Sequence, residues 1–263
     1  MTVDTSTMLQ RQDYDASVAI RPLATHEEFR ACVDLQRRTW GESFGEVVPP
    51  AMLKIAAHIG GVVTGAFEGN ELVGFVFGIT GIERGAVVHW SHMLGVLPRA
   101  QNHGIGRQLK DYQRSTVAKL GARVIYWTFD PLVARNAHLN FNKLGVRATS
   151  YARDMYGEGT SPLHHGIGTD RLIVAWPVSD ADVITRRQEI ARFSSGDAAP
   201  VRRIEVPADI EALQTTDLAS AQAWRARTRA EFETAFAEGL AIQGFRIDAA
   251  AKRGYYLLGR ADA

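Results

Sequence analysis

The chain has 263 residues, with 30 Lys+Arg against 29 Asp+Glu for a formal net charge of +1, a balance that excludes a broad basic face for nucleic acid or anionic lipid. An apolar content of 46% is enough for a substantial core. The single cysteine excludes an intrachain disulfide framework and a cysteine-based zinc cluster, and no apolar run approaches the ~20 residues of a membrane span. A protein of the cytoplasm, without membrane, nucleic-acid or metal partners, is the expectation. Cys32 reads as a small buried hydrophobe or as a nucleophile; with no histidine partner named by its surroundings, the first is expected.

Residues 1–17 are polar and aperiodic and read as a disordered tail. Residues 18–23 form a short strand. Thr25 followed by Glu28 is a capping-box pattern that predicts a helix to about Arg38. After a loop holding Trp40, Gly41, Phe44 and Gly45, Pro49-Pro50 opens a second helix to about His58. Strands at 61–67 and 71–80 flank Glu68-Gly69-Asn70, a hairpin signal, and 86–96 is a third, longer strand. Leu109, Tyr112, Val117 and Leu120 give helical spacing over 107–120, closed by Gly121. A strand at 123–129, a helix at 133–144 closed by Gly145, and strands at 146–156 and 171–178 follow. The order β-α-α-β-β-β-α-β-α-β-β predicts an α+β fold with a mixed sheet, not the regular alternation of a dinucleotide-binding fold.

Residues 180–196 are helical and then linker-like. A strand at 201–206, a helix from Pro207 and a closing hairpin at 245–249 and 255–259 follow. Trp224, Thr228, Phe232, Phe236 and Leu240 recur every fourth residue as one sticky face. The expected organisation is a domain over 18–178 and a smaller α+β extension over 179–263. That extension packs on the first domain or forms a homodimer contact.

The stretch that carries chemistry is Leu94-Gly-Val-Leu-Pro-Arg-Ala-Gln-Asn-His-Gly-Ile-Gly-Arg-Gln-Leu109. A strand runs through a loop straight into a helix N-terminus with Gly104 and Gly106 at the junction. Backbone N–H groups there lack intrahelical partners, and the helix dipole adds partial positive charge, so the junction suits a pyrophosphate. Arg99, His103 and Arg107 could reinforce that charge. No P-loop pattern is present.

The full run Val96-x-Pro98-x-x-Gln101-x-x-Gly104-x-Gly106-x-x-Leu109 resembles the acyl-CoA-binding motif of the GNAT superfamily of N-acyltransferases. Asn136-Ala137 and Lys143-Leu144-Gly145 extend the likeness, which covers about residues 18–178. It implies a central, mostly antiparallel sheet flanked by helices, in which the strand ending at Val96 splays from the strand at 123–129. The pantetheine arm would lie in that gap, with the pyrophosphate on Gln101, Asn102, His103, Gly104, Ile105, Gly106 and Arg107. Backbone N–H groups near Leu94 and Val96 would face the thioester oxygen, and Asn136 and Phe141 would contact the cofactor. The implied reaction is direct attack of a neutral amine on the thioester. A GNAT-like domain that binds acyl-CoA without catalysis is the alternative.

Amine attack needs a proton acceptor. Strict alternation would place Trp90, His92, Leu94 and Val96 on one face, so His92 is the candidate base and His89, pointing oppositely, is structural. A satisfied strand histidine is the other reading of His92. The superfamily's usual acid is a tyrosine before Lys-Leu-Gly; here that position is Phe141, which leaves Tyr151 or Tyr156 as substitutes, each of which reads equally as a core aromatic. Substrate contacts are assigned to Trp90, to Asp130 for a cationic amine, to Arg135 for a carboxylate, and to Asn140; Asp130 could equally be a turn former, Arg135 the partner of a surface acid and Asn140 a solvated side chain. The segment from Trp127 to Gly145 resembles an extended bacterial branch of the superfamily. That extends the co-substrate to acetyl-CoA or succinyl-CoA and the acceptor to a small amine or amino acid. His164-His165 lacks further ligands at metal spacing and reads as loop.

Overall fold

The computed structural model describes residues 18–157, 166–196 and 198–260. The tail expected over 1–17 and the His164-His165 pair lie outside these residues.

Strand β1 (Val18–Pro22) leads into α1 (His26–Trp40) and α2 (Pro50–His58). The expected capping box starts α1: Thr25 Oγ1 accepts from Glu28 N at 3.2 Å, and Glu28 Oε2 accepts from Thr25 N at 3.2 Å. Its inner stripe buries Phe29, Cys32, Val33 and Leu35. Cys32 is fully buried, and that burial pushes its thiol up to about 12, so the hydrophobe reading stands.

Strands β2 (Val62–Glu68), β3 (Glu71–Glu83) and β4 (Ala86–Val96) form a meander whose first turn has Gly69 at φ 57°. Helix α3 (Ile105–Lys119) crosses back over it, and β5 (Val124–Phe129) follows. Helix α4 (Ala134–Ala137) runs on as wider π-turns over His138–Leu144, closed by Gly145, whose N–H reaches Asn140 O at 3.0 Å. Strands β6 (Arg147–Ala152) and β7 (Arg171–Pro177) complete the sheet. Its order is β1-β2-β3-β4-β5-β7-β6. Every neighbouring pair is antiparallel except β4 and β5, so the expected mixed, mostly antiparallel sheet is what forms.

Helix α5 (Asp180–Ser195) leads to a second, three-stranded sheet. It contains β8 (Arg202–Pro207), β9 (Leu240–Asp248) and β10 (Arg253–Arg260) in the order β8-β10-β9, with α6 (Ile210–Thr216) and α7 (Leu218–Ala237) between the first two. Within one protomer, the apolar stripe of α7 faces inward. Phe232 is fully buried, stacked on Tyr151 of β6 at 5.4 Å between ring centroids and edge-on to Tyr256 of β10 at 5.0 Å. Tyr256 O–H in turn donates to Pro131 O at 2.7 Å, and Asn142 Nδ2 donates to Phe245 O at 2.7 Å. One core therefore runs through both sheets. No helix among the described residues is long and apolar enough to cross a membrane.

Candidate active site

The parallel pair β4/β5 is joined over only two positions, His89 with Ile125 and Trp90 with Tyr126. Beyond them the strands part, and a cleft of about 360 Å3 opens in the fork. It passes from the α3 side of the sheet, at Lys110 and Leu144, to the α1 side, at Trp40, Phe44 and Glu46. The splay implied by the motif is present.

A β-bulge sets the side chains at the fork. Phe77 pairs with Met93 and Gly78 with Ser91, which leaves His92 as the extra residue of β4. The bulge overturns the strict alternation expected for this strand. His92 lies on the α1 face, edge-on to Phe77 at 5.8 Å. Leu94 and Val96 turn to the α3 face: a Cβ built at Gly106 would lie 3.8 Å from Leu94 Cδ2, and one at Gly74 would lie 3.3 Å from Val96 Cγ2. Trp90 does not line the cleft; it packs toward Tyr126, with ring centroids 6.5 Å apart.

His92 is open to the cleft, yet partial desolvation by the walls lowers its pKa below the usual 6.5, against a weaker opposing pull from Glu46. It is therefore neutral at physiological pH and able to accept a proton. His89 differs. It is fully buried between Gln113 Nε2 at 3.0 Å and Thr80 Oγ1 at 3.0 Å, and Thr80 Oγ1 donates to Gly60 O. That chain is satisfied by the neutral Nδ1–H tautomer, and burial, then the nearby Lys110, lowers its pKa to about 4. His89 is structural, as expected.

The loop before α3 has the form of an anion cradle. Asn102 has φ 67° and Gly104 φ 78°, which turn the backbone into the helix. Gly106 is informative. Its φ is not positive, and an added Cβ would meet nothing closer than the ordinary 3.8 Å contact to Leu94. Neither backbone nor packing demands glycine there, whereas a phosphate resting on the N-terminus of α3 would. Ile105 is buried and anchors the first turn, while Asn102, His103 and Arg107 are exposed on the rim. Two expected contributors are committed elsewhere. Gln101 Nε2 donates to Val96 O at 2.9 Å, tying the loop to the strand end. Arg99 pairs with Glu68 at 2.6 Å and Glu71 at 2.8 Å.

The remaining candidates divide. Asn136 and Tyr156 line the cleft, and the Tyr156 hydroxyl is 3.0 Å from Thr128 Oγ1. Asn140 lines it too, with its Oδ1 accepting from Trp127 Nε1 at 3.2 Å. Phe141 does not: it is fully buried, edge-on to Phe129 and Tyr256. Tyr151 also faces the core, its hydroxyl donating to Asp170 at 2.5 Å. Asp130 borders the cleft, but its charge is spent. Oδ1 accepts from Leu132 N at 2.8 Å, and Oδ2 accepts from Arg225 Nη2 of α7 at 2.5 Å with Arg171 at 3.8 Å. The turn-former reading holds for Asp130, and an amine would have to displace an arginine to use it. Arg135 is likewise held in a two-pronged pair with Glu211 of α6, both bonds at 2.6 Å.

Two groups of cleft residues escape sequence reading. The aromatic mouth pairs Trp40, the last residue of α1, with Phe44 of the loop that follows, ring centroids 5.2 Å apart. Lys110 is the other. It is 4% exposed, its Nζ donates to Ser91 Oγ at 2.7 Å and stands 3.7 Å over the Trp127 ring, and burial lowers its pKa to about 7. The available signal is its place on the inward stripe of α3, one turn before Gln113 and two before Val117.

Three solved structures cover about the same part of the chain. The NatC complex bound to Gag peptide and CoA is 13% identical, covers 62% of this chain and 99% of its own, and has a TM-score of 0.50. The ribosomal-protein alanine N-acetyltransferase from Escherichia coli is 17% identical over 62% of this chain and 94% of its own, with a TM-score of 0.48. The aminoglycoside 6'-acetyltransferase type Ii is 21% identical over 61% and 97%, with a TM-score of 0.49. At 13% identity the likeness to the NatC structure concerns the fold alone. No curated protein matches the sequence. A model of the acetyltransferase (GNAT) family matches residues 23–145, the segment from α1 through the π-turns that builds the fork and the phosphate cradle. Over that segment, this chain is similar to the GNAT acetyltransferase family.

Proposed function

We propose that this protein transfers an acyl group from an acyl-CoA to the amine of a small molecule or amino acid. The observation that carries the reading is the open fork of β4 and β5, leading to a helix N-terminus where glycine is demanded by neither fold nor packing. A diphosphate on residues 101–107 and a pantetheine arm along the free edge of β4 bring the thioester to the bulge at His92. Backbone N–H groups at the strand edge are suited to the oxygen of the tetrahedral intermediate.

The acceptor enters from the α1 side, past Trp40 and Phe44. Glu46 is the carboxylate at that mouth, and it takes the role the sequence suggested for Asp130. Neutral His92 accepts the proton of the attacking amine. Tyr156 is the proton donor to the departing thiolate, since Phe141 has no proton to give and sits in the core. Acetyl and succinyl groups are both candidates for the acyl chain.

The test is thiol release from acetyl-CoA and succinyl-CoA against a panel of amines and amino acids. Amine-dependent release supports the reading. Tight CoA binding without turnover, in the intact protein and in His92→Ala alike, supports a binding module instead.

A further inference from the structure

Lys110 has no task in the reaction described above, although it occupies the closed end of the fork. Ser91 and Trp127 are the first residues past the last β4/β5 pair, and the Lys110 amine bridges them, bonded to Ser91 Oγ at 2.7 Å and 3.7 Å over the Trp127 ring. An ammonium carries three N–H donors. One is used on Ser91, and among the described residues Lys110 makes no ion pair. A buried cation left in this state is costly unless something completes it. Of the carboxylates bordering the cleft, Asp130 is taken by Arg225, Glu211 by Arg135, and Glu46 stands at the opposite, α1-side mouth.

The position follows from the strand itself. The N-terminus of α3 abuts Leu94 and Val96, and β4 advances about 17 Å over the five residues from Val96 back to Ser91. A CoA with its phosphates on α3 and its arm along this edge therefore carries its acyl chain to Lys110, a step that rests on the acyl-CoA reading. An acetyl group leaves the ammonium with nothing to bind. A chain ending in a carboxylate meets it, with the Asn140 amide N–H2 as a second donor at the same end, its Oδ1 being occupied by Trp127. Arg135, the residue the sequence offered for a carboxylate, is exposed and held by Glu211.

We propose that Lys110 forms an anion subsite at the closed end of the fork and selects acyl chains that end in a carboxylate. Butyryl-CoA and succinyl-CoA are the probe pair, because both have four-carbon chains and differ at the terminus, methyl against carboxylate. Calorimetric titration of the full chain, without acceptor, is expected to show succinyl-CoA bound about tenfold or more tighter than butyryl-CoA, the size of a charge-assisted hydrogen bond. Lys110→Met is expected to abolish that preference while leaving affinity for free CoA unchanged, and Lys110→Arg to retain it. Equal binding of the two thioesters by the unaltered protein, or a preference that survives Lys110→Met, overturns the proposal. The unaltered protein decides by itself should Lys110→Met not fold. A protein that binds neither thioester nor free CoA removes the acyl-CoA reading instead, and the free-CoA arm separates that failure from the first.

Discussion

Gly106→Glu turns the phosphate cradle against its ligand while leaving the fold content. Gly106 is the second residue of α3 and half-buried, with φ outside the left-handed region and only an ordinary 3.8 Å contact, to Leu94, at its Cβ position. Glutamate is a better helix former than glycine by about 0.5 kcal/mol. A carboxylate in the first turn also gains about 0.3–1 kcal/mol from the helix dipole. Thermal stability should hold or rise slightly. CoA binding should collapse. A carboxylate 4 Å from a phosphate charge costs about 4 kcal/mol at an effective dielectric of about 20, and about half that at 8 Å, so affinity falls about 30-fold or more. Gly104→Ala is the opposite control: at φ 78° a Cβ costs about 1–2 kcal/mol, and Tm falls. Circular dichroism melts and calorimetric CoA titrations read both quantities. If Gly106→Glu folds and binds CoA within about threefold of the unaltered protein, a difference under 1 kcal/mol, the cradle is misassigned.

Other outcomes follow from the same geometry. His92→Gln should lower kcat by about 10²–10⁴ without changing CoA affinity, and should erase an acid limb that lies below pH 6.5 in the unaltered enzyme. His89 titrates near 6.5 in the unfolded chain and near 4 when folded. Stability should therefore be unaffected by this group above pH 6.5 and fall by about 3 kcal/mol as pH drops to 4, a slope that urea melts would read and His89→Gln should flatten. Asp130→Ala leaves the buried Arg225 guanidinium unpaired and should cost about 3 kcal/mol or more, seen as a large drop in Tm. Arg135→Ala removes only an exposed ion pair and should cost less than about 1 kcal/mol, with acyl-CoA affinity unchanged.

Features carried by neighbouring residues were legible in the sequence. The Thr25/Glu28 capping box, the turn at Gly69 and the run into α3 are local patterns, and each forms where the spacing places it. Long-range facts were not. The His92 bulge depends on how β4 registers against β3, which strand alternation does not encode, so Trp90, His92, Leu94 and Val96 do not share one face. Asp130 and Arg135 looked available for substrate because their partners stand far along the chain, Arg225 in α7 and Glu211 in α6. Phe141 sits at the position of a catalytic tyrosine in the motif, but Phe129 and Tyr256 enclose it, so the position here belongs to the core. Lysine is a residue type expected in water, and only the place of Lys110 on the inward stripe of α3 marks it for burial.

The central claim is that the fork between β4 and β5 is the acyl-CoA site. A crystal structure of the protein with CoA tests it most directly. The expected result is the diphosphate on the backbone of residues 101–107 and the pantetheine arm between the free edge of β4 and β5, with the sulfur beside His92 and Ser91. CoA seated elsewhere on the protein, with the fork empty, would contradict it.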